Sequence, residues 1–391
     1  MRGKAGIALL VAGIAAAVAV AVAAAATDGS GRVHASAASA ATTSGCSSKM
    51  YFGLAAPITG PAASLGQLQL SWVKFAVSSW NAKVKSPKFA FVQGDTQLPN
   101  VAQGIKAAKQ LASDKRVWAV VGPAGSQEVQ DTFASFKAGG LAIVSGSASR
   151  TSLTDGSRKG YFFRTVPNDS VQGPTVANYI ASKLKATNVY IIDDQEAYSQ
   201  GLADTVEAAL KAKGINTTRD SIDQKATDFS SIIAKIPSNT NVVYIPWQLS
   251  SQAQNFGQQL KAAGKNVTLF GSDGLFDEAN FTIPGSYVSF FPVNTKAGAV
   301  AAYKAAHGGK GDYFGAPSAA AAGIVMQAIA KACSDGKISR AEVRKDVATA
   351  TIPASQSVLS VTVHFTTNGD LKGGSFGVWK IGADGSYSSV G

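Results

Sequence analysis

Short runs of β-branched and aromatic residues alternate with longer amphipathic runs along almost the whole chain, and that alternation constrains the fold more than any other feature. KMYFGLAAP (49–57), FAFVQGD (89–95), VWAVVG (117–122), LAIVSGS (141–147), FFRTVP (162–167), NVYIIDD (188–194), NVVYIPW (241–247), VTLFGSD (267–273) and SYVSFFPV (286–293) predict strands. Between them, Leu68–Ala82, Val101–Ala112, Val171–Leu184, Gly201–Lys213, Ser250–Ala263 and Ser318–Cys333 carry helical spacing. Strand, helix and strand in repetition mean a parallel sheet covered on both faces, because a parallel pair needs a crossover long enough to hold a helix. So many units exceed one sheet of ordinary size, and 391 residues suffice for two similar lobes.

In such sheets a ligand sits beyond the carboxyl ends of the strands. Those ends read Gly122-Pro123-Ala124-Gly125-Ser126, Ser145-Gly146-Ser147-Ala148-Ser149, Asp193-Asp194-Gln195-Glu196-Ala197-Tyr198, Pro246-Trp247-Gln248 and Gly271-Ser272-Asp273-Gly274. Serine and glycine after a strand are commonplace turn and cap residues, and a tryptophan after proline is commonly core. Two hydroxyl-rich turns at consecutive strand ends nevertheless predict an anion site, since free N–H groups at a helix start attract negative charge. The second half offers an acid and two aromatics, which suits a cation.

A phosphate is not the expected anion. No G-x-x-x-x-G-K-[ST] loop or G-x-G-x-x-G turn is present, and Gly308-Gly309-Lys310-Gly311 has neither a preceding strand nor a following hydroxyl. A carboxylate is expected instead. No strand-to-helix nucleophile elbow is read, and neither His307 nor His364 is placed as a general base, so the chain is not expected to be an enzyme. Two cysteines and three histidines show no metal-ligand spacing, and no cofactor is expected. The formal net charge is +12, and removing Arg2, Lys4, Arg32 and Asp28 with the first 35 residues leaves +10. These cations are scattered singly on helix faces, as at Lys106, Lys109 and Lys115, so nucleic acid is not an expected partner.

The start, MRGKAGIALLVAGIAAAVAVAVAAAA, sets Arg2 and Lys4 before an apolar block, followed by TDGSGRVHASAASAATTSG. Residues 1–35 read as an export signal with small-residue cleavage points after Ala26 or Ala35, and an uncleaved anchor competes with that reading. No later segment is expected to span a membrane. Residues 36–47 read as a flexible leader. The protein is therefore expected to be exported, to the periplasm or the outer face of the cytoplasmic membrane, touching membrane only through signal, anchor or lipid. Outside the cell, Cys46 and Cys333 suggest a disulfide; lipid on Cys46, after Ser44-Gly45, is the alternative.

From about Met50 onward, APITGPAASLGQ, FFRTVPNDSVQGPTVANYI, AYSQGLADTVEAALKAKG, DFSSIIAKI and NGDLKGGSFGVWKIGADGS occur in an order and spacing that resembles the branched-chain amino-acid-binding proteins of ABC transporters, the leucine/isoleucine/valine type. The resemblance implies the type I periplasmic binding fold, an α/β architecture of two doubly wound, Rossmann-like lobes joined by three hinge strands. Carried over, the hinges fall near Pro167-Asn168, Val293-Asn294 and Ser375-Phe376. The first lobe then holds residues 48–167 and 294–375, and the second 168–293 and 376–391. The resemblance also implies that Ser126, Ser147 and Ser149, with Ala148 between the last two, hold a ligand carboxylate. Asp273 then holds its ammonium and Tyr198 borders the cleft. Leu65 stands where the family often has an aromatic, and Trp247, Gln248 or Leu249 stands where a tyrosine is usual, so these face the ligand side chain. A monomer that delivers an amino acid to an ABC permease is the implied function; a receptor's sensing module and a binder of another carboxylate or amide are the alternatives.

Overall fold

The structure, a computed structural model, describes residues 44–391. The export signal and the leader up to residue 43 lie outside the described residues. The end of the leader is not free chain: β1 (Ser44–Gly45) pairs antiparallel with a short late strand at Lys337–Ile338, and Cys46 is disulfide-bonded to Cys333, with Cα atoms 5.7 Å apart.

Each predicted strand run forms a strand, trimmed at the ends where turn residues begin. β2 (Lys49–Ala56), α1 (Ala63–Lys83), β3 (Lys88–Asp95), α2 (Val101–Ser113), β4 (Val117–Val121), α3 (Ser126–Ala138), β5 (Ala142–Ser145) and β6 (Phe162–Arg164) come first. Their five long strands make one wholly parallel sheet in the order β3-β2-β4-β5-β6. Strand side chains alternate between faces. Val120 and Ile143 pack with Leu111, Val129 and Phe136 of α2 and α3. Val121, Ala142 and Val144 pack on the opposite face.

The second half runs α4 (Asp169–Ser182), β7 (Asn188–Asp193), α5 (Ala197–Lys211), β8 (Asn216–Ser221), α6 (Ser230–Lys235), β9 (Val242–Ile245), α7 (Ser250–Ala262), β10 (Thr268–Gly271) and β11 (Tyr287–Phe290). The chain then returns to the first sheet through α8 (Gly298–Ala306), α9 (Ala316–Ala332), β12 (Lys337–Ile338) and α10 (Arg340–Thr349), whose apolar residues cover its second face. It crosses back once more to place β13 (Gly377–Ile381) and β14 (Tyr387–Ser389) on the edge of the other sheet. That sheet has seven strands, β14-β13-β11-β10-β9-β7-β8, all running one way except β13, which pairs antiparallel with both β11 and β14. Leu202, Val206 and Leu210 cover one of its faces, and Ile232, Phe256 and Leu260 the other. The chain is thus α/β with two doubly wound lobes.

One expectation fails on composition. The helical run Tyr313–Ala332 is long and apolar enough to cross a membrane, with mean hydropathy 1.2, yet 78% of it is buried inside the protein. Its apolarity serves the core beneath the first sheet.

Candidate functional site

The carboxyl ends of both sheets face one cavity. Ser126, Ser147, Leu65, Tyr198, Gln248 and Asp273 all reach its wall, joined by Pro57, Leu98, Ala124, Gly125, Gly274 and Phe314. Residues up to 208 positions apart, Leu65 to Asp273, are thereby brought together.

On the first-lobe side the chain leaves β4 through Gly122, whose φ of +100° and close approach to the Ala55 carbonyl require a residue without Cβ. α3 then starts at Ser126, so the N–H groups of its first turn have no intrahelical acceptor. One donor just ahead of that turn is used: Gly125 N–H donates to Glu128 Oε2 at 2.7 Å. The neighbouring turn braces this one. The Ser145 hydroxyl donates to the Pro123 carbonyl at 2.6 Å, and the Ser147 hydroxyl donates to the Ala124 carbonyl at 2.7 Å while accepting from Gln69 Nε2. Ser126 Oγ accepts from the Arg150 N–H at 3.2 Å and keeps its own proton.

On the second-lobe side Asp273 follows β10 in a single 3-10 turn and is 2% exposed. Its Oδ1 accepts from the Tyr198 hydroxyl at 2.5 Å and from Gln172 Nε2 at 2.7 Å. Gln172 reaches it from α4 and also donates to Ser289 Oγ at 2.9 Å. Behind it lies Asp169, fully buried, with no hydrogen-bond partner on either carboxylate oxygen. Burial pushes the Asp273 carboxyl up from its usual range, against the Tyr198 and Gln172 hydrogen bonds. Burial, and then the Asp273 charge, push Asp169 up to about 7. Among the described residues neither acid makes an ion pair with a lysine, arginine or histidine.

Three expected positions, Trp247, Ala148 and Ser149, lie off the cavity wall. Trp247 is not on the cavity wall: it continues the inward face of Val243 and Ile245, packs between Phe229 and Phe256, and donates from Nε1 to the Ile192 carbonyl at 2.8 Å. Ala148 packs in the core between the first sheet and α2 and α3, and its carbonyl accepts from Arg164 Nη1. Ser149 is fully buried off the wall, with its carbonyl accepting from Asp169 N–H. Ser147 lines the cavity, but its single hydroxyl proton is already on Ala124. The tail also contains one G-x-S-x-G match, Gly373-Gly374-Ser375-Phe376-Gly377; it leads into strand β13 rather than a helix, so it is no nucleophile elbow.

Gln172 and Asp169 are the site residues that strand-end reasoning passed over. Both lie inside the quoted stretch FFRTVPNDSVQG, three apart and so on one helix face, which is the signal that could have found them.

Two open sheets facing one cavity across chain crossings define a two-lobed binding protein. A family model described as periplasmic binding protein matches residues 49–371, and the chain belongs to that family. The Leu/Ile/Val/Thr-binding protein of Salmonella typhimurium strain LT2 is 29% identical over 234 residues, a match spanning 58% of this chain and 62% of the relative. Among solved structures, a leucine binding protein from Thermotoga maritima MSB8 has a TM-score of 0.78 at 18% identity, covering 88% of this chain and 98% of that one. A solute binding protein from R. palustris in complex with benzoate has a TM-score of 0.75 at 17% identity, covering 88% and 96%. These relatives and neighbours are binding proteins, not enzymes.

Proposed function

We propose that the chain is an exported solute-binding protein that captures a small α-amino acid between its lobes and delivers it to an ABC importer. The single observation that carries this reading is Asp273: a carboxylate buried on the wall of the cavity between the two sheets, held by two neutral donors and without a protein cation. A buried charge without a counter-ion is destabilising by several kcal/mol after relaxation, which a ligand ammonium relieves. The opposite pole of the ligand, its carboxylate, meets the first turn of α3 and the Ser126 hydroxyl. Since the two poles engage different lobes, binding favours the closed arrangement, and the closed form is what a permease reads. The hinges lie near Pro167-Asn168, Val293-Asn294 and Ser375-Phe376, and residues 1–35 direct export. The name of the Salmonella relative supports an amino acid over the aromatic carboxylate of the R. palustris neighbour, and so does Asp273, because benzoate carries no cation to meet it.

Asp273→Asn keeps the shape of the side chain and removes the charge. Calorimetry against an amino-acid panel should show affinity falling by about 2–5 kcal/mol, the range for deleting one member of a buried charge pair, with the fold intact by circular dichroism. Unchanged affinity rejects the assignment.

A further inference from the structure

Gln248 stands out on the cavity wall because nothing in the protein answers its carboxamide. The residue is 6% exposed, its Nε2 is buried without a hydrogen-bond partner, and it lines the cavity. Its backbone is fixed. Gly274, beside Asp273, packs so closely on it that an added Cβ there would lie 2.7 Å from the Trp247 carbonyl and 2.9 Å from Gln248 Cβ. The next residue, Leu249, packs across the cleft on Ala62 and Leu98. The stem of Gln248 is therefore fixed, and its carboxamide starts from a buried position on the cavity wall. Around it the wall is apolar, from Leu65, Leu98 and Phe314.

A polar group buried with its bonds unmade destabilises the protein unless something else completes them. Once a ligand fills the cavity and displaces water, only the ligand can. With the carboxylate at α3 and the ammonium at Asp273, the remaining substituent of the ligand is its side chain. We propose that Gln248 reads that side chain, and that the ligand is an amino acid whose side chain combines a short apolar stem with a neutral hydrogen-bonding group, a hydroxyl or a carboxamide. An acidic side chain would add a charge of the same sign beside Asp273 and Asp169. A basic one would meet only a neutral amide. A purely aliphatic one would leave Gln248 unpaired, and sites built around a buried hydrogen bond discriminate against the analogue lacking it far more sharply than an apolar pocket discriminates by size.

This inference rests on the amino-acid reading above. Its test uses two isosteric pairs in which polarity alone changes, threonine with valine and asparagine with leucine, titrated calorimetrically into the purified protein freed of endogenous ligand. The polar member of each pair should bind at least about tenfold more tightly. In Gln248→Leu the preference should reverse within each pair. The inference is overturned if valine and leucine bind as well as or better than their partners to the unsubstituted protein. It is also overturned if Gln248→Leu weakens all four ligands equally, which would make Gln248 an anchor for the shared α-carboxylate. Binding of none of the twenty amino acids would instead strike the amino-acid reading, and this inference with it; aliphatic preference strikes this inference alone.

Discussion

On the first-lobe side of the cavity, Ser126, Ser145 and Ser147 each bond to another part of the same lobe, and the open bonds there fall on Thr96 Oγ1, Glu128 Oε1 and Ser149 Oγ; on the second-lobe side the open bonds are more numerous and gather around Asp273. Both Asp169 oxygens, Gln172 Oε1, Glu196 Oε2 and Gln248 Nε2 have no partner. The first wall is a braced scaffold that presents N–H groups. The second is held in an electrostatically unfavourable state that a bound cation and hydrogen-bonding group would relieve. Damage to the first wall should therefore register mainly as lost stability, and damage to the second mainly as lost binding.

Arg164 provides the largest contrast. Its guanidinium is fully buried behind the first wall, donating from Nε to Asp370 Oδ1 at 2.8 Å and from Nη1 to the Ala148 and Arg150 carbonyls at 3.1 and 2.8 Å, with Thr154 taking Nη2. One side chain thus ties the turn after β5 to the segment returning toward β13. Arg164→Met should lower unfolding free energy by about 3–5 kcal/mol in urea titration, because it leaves an acid and three acceptors short of donors. Asp273→Asn should leave that quantity unchanged or higher. If the two substitutions destabilise alike, the distinction between the walls is wrong.

A second contrast concerns protons. At the rim beside the cavity, Glu196 of the second lobe meets Glu128 and Asp131 of α3 in the first. Burial, then the charges of Asp194, Glu128 and Asp131, push Glu196 up to about 8. Burial pushes Glu128 up to about 7 despite its hydrogen bond from Gly125. The cation in this region, Arg150, directs Nη1 at the Ala197 carbonyl, one residue beyond Glu196. Acids with raised folded pKa values bind protons that the unfolded chain has already released, so their contribution is full below about pH 4.5 and is lost as pH rises toward about 8. Stability of the ligand-free protein should fall across that window by several kcal/mol, about 1.4 kcal/mol for each unit by which a carboxyl is raised. Glu196→Gln should flatten the slope and be the more stable protein at pH 8.5. Stability that rises from pH 5 to 8, or a variant that follows the parent, would show that the rim acids are solvated.

The sequence carried most of the architecture because buried strands leave a compositional mark. VWAVV and AIVS are buried at every position, and such runs have few other uses. β8, with the sequence NTTRDS, was missed because it is an edge strand exposed at alternate positions, so nothing selected apolar residues there. α10 (RAEVRKDVAT) was missed for the same reason: it buries only Val343, Asp346 and Val347. In the site, strand-end position located Ser126, Tyr198 and Asp273. It could not separate Trp247 from Gln248. Adjacent residues past a strand end turn to opposite sides, and which side is core depends on α7, which local sequence does not place. Asp169 and Gln172 escaped because their proximity to Asp273 is made by the tertiary packing of α4, about a hundred residues away along the chain.

The smallest predicted effect separates two serines that look equivalent in sequence. Ser126 and Ser147 both line the cavity, but only Ser126 keeps its proton, since its oxygen accepts from Arg150 N–H while the Ser147 proton is held by Ala124. Ser126→Ala should weaken a carboxylated ligand by about 1 kcal/mol, roughly fivefold, and weaken the corresponding amide less, because a hydrogen bond to an ionised acceptor is the stronger one. The loss is small because the N–H groups of the first turn of α3 remain. Ser147→Ala should instead lower unfolding free energy by about 1–3 kcal/mol through the unpaired Ala124 carbonyl and Gln69, with equal effect on acid and amide. If Ser147→Ala is the substitution that tells the acid from the amide, the carboxylate sits on the turn after β5 rather than on α3, and the first wall takes part in binding more directly than its bracing implies.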